Sequence, residues 1–225
     1  MQLIASLLFT TLLAAASADF EAARDRQDRA ALDKMASDAA AAADKSPKDA
    51  DAQYNAALAA SYAAEVALEL RDKEKASRSA EAGSKFAERA ITLKPTAENY
   101  RVLGTLYGQA AAGGNMLAIV SYGKKARDAV NKALEMDPHA ARNWLARGIG
   151  NYYMAALGGG QDAAMADLKK AIEIDPKLAD AYLWLGLSLR KAHHNAEARQ
   201  AFQKSLELNP RRIWAKEQLE KTPPA

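Results

Sequence analysis

A helix that stops at proline, at one fixed distance after a small residue and four times over, constrains this chain more than any other feature. The four segments are Ala90–Pro95, Ala133–Pro138, Ala171–Pro176 and Ser205–Pro210. Three residues before each small residue stand Ala87, Val130, Leu168 and Phe202, and four before those Gly83, Ala126, Ala164 and Ala198. Steps of three and four put each set on one helix face, with small side chains where another backbone must come close. Proline then ends the helix, because it has no N–H and forces the preceding residue out of the α region.

A second pattern precedes the last three of these segments. It reads Tyr100-x-x-Leu103-Gly104-x-x-Tyr107, Trp144-x-x-Arg147-Gly148-x-x-Asn151 and Tyr182-x-x-Leu185-Gly186-x-x-Leu189. An aromatic ring anchors one face, and the glycine lets the following helix approach. Glycine inside a helix costs roughly 1 kcal/mol against alanine, so its return at one place implies a packing reason.

Together these residues resemble tetratricopeptide repeats. The fullest unit runs from Ala179 to Arg212, with Tyr182, Leu185, Gly186, Ala198, Phe202 and Pro210 at the family's positions. Arg147 and Asn151 depart from the family's usual Leu and aromatic. Residues 49–96 carry only a partial pattern in Tyr54, Leu58, Ala87 and Pro95. The resemblance implies an all-α solenoid of about ten helices, paired antiparallel into a right-handed superhelix. The expected organisation is a signal peptide over 1–18 and one alanine-rich capping helix over 19–46. Four helix pairs follow over 47–212, the first degenerate, and then a C-terminal capping helix and tail over 213–225. Caps are expected because an unpaired repeat would expose its apolar side.

The terminating prolines Pro47, Pro95, Pro138, Pro176 and Pro210 are 48, 43, 38 and 34 residues apart. Only the last equals the family period of about 34. The extra residues fall between the two helices of a unit, an edge of the solenoid where binding often occurs. They are apolar and glycine-bearing, unlike ordinary surface loops. One insertion spans Gly113–Gly123 and the other Tyr152–Gly160. Met116, Leu117, Ile119, Tyr122, Tyr152, Tyr153 and Met154 are therefore candidates for an apolar pocket beside the groove, the alternative being that the insertions only extend the core by lengthening helices. Met and Tyr suit an adaptable apolar contact surface. By family geometry, the groove itself is expected to be lined by Arg101, Thr105, Arg142, Leu145, Ile149, Asp180, Leu183, Leu187 and Arg190.

Residues 1–18 contain no charged side chain, are rich in Leu, and end in Ala16-Ser17-Ala18 before charge begins at Asp19. That is the pattern of a cleaved secretory leader, although the usual Lys or Arg before the apolar run is missing. The run is also shorter than the ~20 residues of a membrane span. Export to the periplasm of a Gram-negative bacterium, with no stable membrane span after cleavage, is the expectation. With no cysteine in the chain, disulfides, thiol catalysis and Cys-bound metal are excluded.

No phosphate-cradling glycine motif is complete, since Gly158-Gly159-Gly160 lacks the following Lys and Ser/Thr. His139, His193 and His194 lie at turns, without the i,i+4 partner a metal site needs. A net charge of +3, with acids interleaved among bases, does not suggest nucleic acid. Neither catalysis, cofactor nor metal is expected. The function expected is a scaffold that binds a protein or peptide partner in its groove. The alternative is a small-molecule binder, for a hydrophobic ligand or organic acid. It rests on a resemblance of the Tyr107–Arg127 region to the T component of periplasmic TRAP transport systems, whose fold has an apolar internal cavity. This chain lacks that family's lipid-attachment cysteine.

Overall fold

The computed structural model describes residues 18–153 and 160–224. Within them the chain is helical, in eleven segments. These are α1 (18–25), α2 (Arg29–Lys45), α3 (Ala50–Glu69), α4 (Lys73–Leu93), α5 (Ala97–Gly113) and α6 (Met116–Met136). They continue with α7 (Ala141–Tyr153), α8 (Gln161–Ile174), α9 (Ala179–Lys191), α10 (Asn195–Leu208) and α11 (Ile213–Glu220). The pairs α3/α4, α5/α6, α7/α8 and α9/α10 stack in order, flanked by α2 at one end and α11 at the other.

The repeated glycine does what its recurrence implied. A Cβ on Gly104 would sit 2.5 Å from a Val130 methyl and 3.0 Å from the Ala126 carbonyl oxygen. One on Gly186 would sit 2.6 Å from the Phe202 ring. In each pair the second helix lies where a side chain on the first would be, so its apolar residue packs directly on backbone. Phe202, Leu168, Ala133 and Ala171 are fully buried as a result.

Turns are held by side chains that reach back across them. Asp49, Asp72, Thr96 and Asn115 cap the helices that follow, each accepting from backbone N–H groups of the first turn. Asn143 donates to the carbonyl oxygens of Ala133 and Asp137 at 3.1 and 2.9 Å. Asn99 donates to that of Lys94 at 2.7 Å, and Gln53 to that of Ala43 at 2.7 Å. The residue before Tyr54, Tyr100 and Trp144 thus satisfies carbonyls left over at the end of the preceding helix. Trp144 adds a bond from its indole N–H to the Pro138 carbonyl at 2.8 Å.

One feature differs from the sequence expectation. Residues 19–46 form two helices rather than one, because the chain reverses at Gln27 (φ 51°) and Asp28 caps a new start. The Gly113–Gly123 residues follow the alternative of lengthened helices. They complete α5 and begin α6, joined at Gly114-Asn115, so the insertion lengthens helices to 17 and 21 residues against 13 and 14 for α9 and α10.

Candidate functional site

The first helices of the pairs turn one face inward and, with α1 and α11, enclose a cavity of about 430 Å³. Leu58 and Tyr62 of α3, Leu145 and Ile149 of α7, Trp184 of α9 and Trp214 of α11 supply apolar wall. Gly108 of α5 and Gly150 of α7 leave bare backbone facing it. Trp184 and Trp214 meet edge to face, with ring centroids 5.3 Å apart. Arg101, Arg127, Arg142 and Arg147 bring positive charge to the same space.

Helix α1 lies on this concave side and links distant parts of the chain. Phe20 packs against Tyr62, and Glu21 accepts from Tyr62 and Arg142 at 3.1 Å each. Arg24, 5% exposed, bonds to Asp25 and, at 2.7 Å, to Asp180. Asp25 in turn accepts from Asn209 at 2.7 Å. Beside it Arg212, 1% exposed, donates to Glu65 at 2.8 Å and to both oxygens of Glu69. Its Nε also lies 3.7 Å from Asp180 and 3.8 Å from Asp25. First and last repeats are therefore joined through one buried cluster.

That cluster holds two guanidiniums, Arg24 and Arg212, against four carboxylates, Asp25, Glu65, Glu69 and Asp180. Burial pushes the Glu65 carboxyl up to about 7, against the pull of Arg24 and Arg212. Burial raises Glu69 as well. Burial works against the charge on Asp180 too, yet Arg24 and Arg212 hold its pKa below the usual carboxylate value. Beside Arg101 of the wall, burial opposes the charge of Glu98, but Arg101 pairs with it and holds it down at about 2.

The signs then fix a pH profile. Folded Glu65 binds its proton more tightly than the unfolded chain does, so stability falls as pH rises from about 4.5 to about 7. Glu98 works in the opposite sense: its contribution is complete above about 4.5 and is lost as pH falls towards 2. Stability is expected to peak near pH 5. In Glu65→Gln the decline between pH 5 and 7 should flatten, as read by urea unfolding at each pH. An unchanged slope in that variant would assign the decline to another group.

Six residues expected in the groove do line the cavity: Arg101, Thr105, Arg142, Leu145, Ile149 and Asp180. Leu183 and Leu187 do not; they are 0% and 4% exposed, in the core with Ala215 of α11. Arg190 is turned away to Gln218 and Thr222. The equivalent Leu145 and Ile149 of α7 do reach the cavity, although Leu145 is only 8% exposed and belongs to the same core. The residues of the insertions are not brought together as one pocket. Ile119 and Tyr153 line the cavity, while Met116 and Leu117 stand in solvent, 73% and 75% exposed. Tyr122 stacks on Tyr107 at 5.7 Å, and Tyr152 packs on the edge of Trp184 at 5.5 Å. Met154 lies outside the described residues. Arg24, Glu65, Glu69 and Trp214 line the cavity without a local sequence signal, and Arg212 completes their charge cluster.

The chain resembles known tetratricopeptide proteins in fold and sequence. The crystal structure of TTC0263, a thermophilic TPR protein of Thermus thermophilus, superposes with a TM-score of 0.63 at 20% identity, covering 85% of this chain and 90% of that one. YrrB, described as a TPR protein with an unusual peptide-binding site, gives 0.43 at 19% identity, covering 78% and 94%. Among curated proteins, small glutamine-rich tetratricopeptide repeat-containing protein 2 of Mycosarcoma maydis is 33% identical over 100 residues. That match takes in 44% of this chain but only 27% of the relative's length. Residues 12–221 match the family described as regulator of microtubule dynamics protein 1-3, and on that near-complete match the chain belongs to this family.

Proposed function

We propose that this chain is a non-catalytic binding module whose cavity takes a short amphipathic segment of a protein partner. The observation that carries the reading is the pairing of an aromatic-aliphatic wall, from Tyr153, Trp184 and Trp214, with Arg101, Arg127 and Arg142 in one 430 Å³ space. Such a space suits one or two large apolar side chains with a carboxylate beside them. The tetratricopeptide fold fits a protein-interaction role, and a family named for regulating microtubule dynamics fits binding rather than catalysis. The apolar leader supports placing this binding step in the periplasm, after export.

A second reading is a small amphipathic molecule, such as an organic acid with an apolar body. It is favoured by α1, which covers part of the concave face and makes the space more a chamber than an open track.

Gly108 and Gly150 allow a clean test. Both line the cavity, and a Cβ at either meets no atom within 4 Å. Leucine there starts from an unobstructed Cβ and extends into the cavity, and removing a mid-helix glycine stabilises by roughly 0.5–1 kcal/mol. In Gly108→Leu/Gly150→Leu, unfolding midpoints should hold or rise while capture of a stoichiometric partner is lost. Native mass spectrometry of the purified chain separates the two readings. A bound organic acid absent from the double variant supports the second. Equal capture by parent and variant would remove the cavity from both.

A further inference from the structure

The first turns of α6 present an apolar face that none of the described elements covers. Met116, Leu117 and Val120 are 73%, 75% and 59% exposed. Their spacing puts all three on one side of the helix, and Lys124 and Arg127 continue that side one turn and two turns further on. From Met116 to Arg127 there is no acidic residue; the first is Asp128, which pairs with Lys124. Arg127 has no carboxylate partner among the described residues, and Lys125 lies over the rings of Tyr107 and Tyr122. The same edge of the solenoid, where the first helix of each pair turns into the second, also exposes Leu70 and Tyr153 to 45% and 46%.

We propose that this tip docks the protein on an anionic lipid surface. An apolar wedge with a basic collar is what an interfacial helix presents to such a surface. At about 1.5 Å of rise per residue, Lys124 sits roughly 12 Å and Arg127 roughly 16 Å behind Met116. That offset lets the wedge sink ~5–10 Å while the long basic side chains reach the headgroups. The unpaired N–H groups at the start of α6 add positive potential at the tip. Among the described residues no helix is long and apolar enough to cross a membrane, so the contact is peripheral. The surface adjoins the cavity: Arg127 of the collar and Ile119 on the inner side of the same helix both line it. A docked tip would hold the cavity next to the bilayer.

The test is co-sedimentation of the full chain with vesicles of equimolar phosphatidylglycerol and phosphatidylcholine, and with phosphatidylcholine alone. The expected result is binding to the anionic vesicles that weakens with added salt. It should fall at least about tenfold in Lys124→Glu/Arg127→Glu, since each basic residue near such a surface counts for several-fold. Met116→Asp/Leu117→Asp should lose it as far, and, being exposed, should leave the unfolding midpoint in place. Equal sedimentation of parent and the Met116/Leu117 variant would overturn the proposal by assigning membrane binding to another part of the chain. So would absence of sedimentation with a dimer that dissociates in that variant, which would make the face a contact between copies.

Discussion

Replacing Arg212 with alanine is expected to cost about 3–5 kcal/mol of unfolding free energy at pH 7.5, the range for removing one partner of a buried ion cluster. The side chain is 1% exposed and bonds to Glu65 and to both oxygens of Glu69, with Asp25 and Asp180 within 4 Å of its Nε. Without it, Arg24 alone faces four carboxylates. The destabilisation comes less from the lost bonds than from carboxylates left buried and unpaired. That origin gives the loss a pH signature. Protonated carboxyls need no counter-charge, so the deficit of Arg212→Ala should shrink as pH falls from 7.5 towards 5. Urea unfolding at both pH values reads it. A deficit below about 1 kcal/mol at pH 7.5 would mean that water in the cavity already screens the cluster.

The same residue bears on how the ends of the solenoid behave. A stack of repeats in which each unit touches only its neighbours can melt from one end. Here Arg212 meets α3 from 143 positions away, and Arg24 of α1 meets Asp180 from 156. These contacts tie the ends together across the cavity, so the clasped chain should unfold as one unit.

The repeats were legible because their contacts are local. Gly104 against Val130 and Gly186 against Phe202 join residues within one pair, and a helical period is enough to place them. The geometry of the resembled family also placed Arg101, Leu145 and Ile149 on the cavity wall. It failed at Leu183 and Leu187, although these are the repeat equivalents of Leu145 and Ile149. They pack into the core together with Ala215 of α11, a cap outside the repeat pattern. It failed again at α1, whose helix looked like ordinary alanine-rich amphipathic sequence. The seat of Arg24 exists only once the superhelix has brought α3 and α9 within reach of one side chain. No spacing along the chain encodes that closure. The apolar insertions were visible as unusual, but composition could not separate a wall residue such as Ile119 from a solvent-facing one such as Leu117.

Phe202→Ala is expected to destabilise by about 3–5 kcal/mol, as for other fully buried aromatic side chains cut to a methyl. The ring is 0% exposed, fills the space above Gly186, and lies under the Arg190 guanidinium at 5.7 Å. The pairing with Gly186 can be isolated. Gly186→Ala alone gains about 1 kcal/mol of helix propensity but drives a methyl into the ring, an overpacking that costs typically 1–3 kcal/mol. It should be neutral to destabilising in the parent. In the Phe202→Ala background the obstruction is gone, so the same change should stabilise. A sign that does not move between backgrounds would show that the glycine is not there for the phenylalanine. The slope of the urea transition carries the second half of the argument. With Arg212 intact, Phe202→Ala should lower the midpoint and leave the slope unchanged, because α9 and α10 cannot melt without opening the clasp. In Phe202→Ala/Arg212→Ala the last pair is no longer held to α3, and the slope should fall or the transition split in two. Unchanged slopes in both would mean that packing between neighbouring pairs alone makes the solenoid cooperative, with no part played by the buried ion cluster.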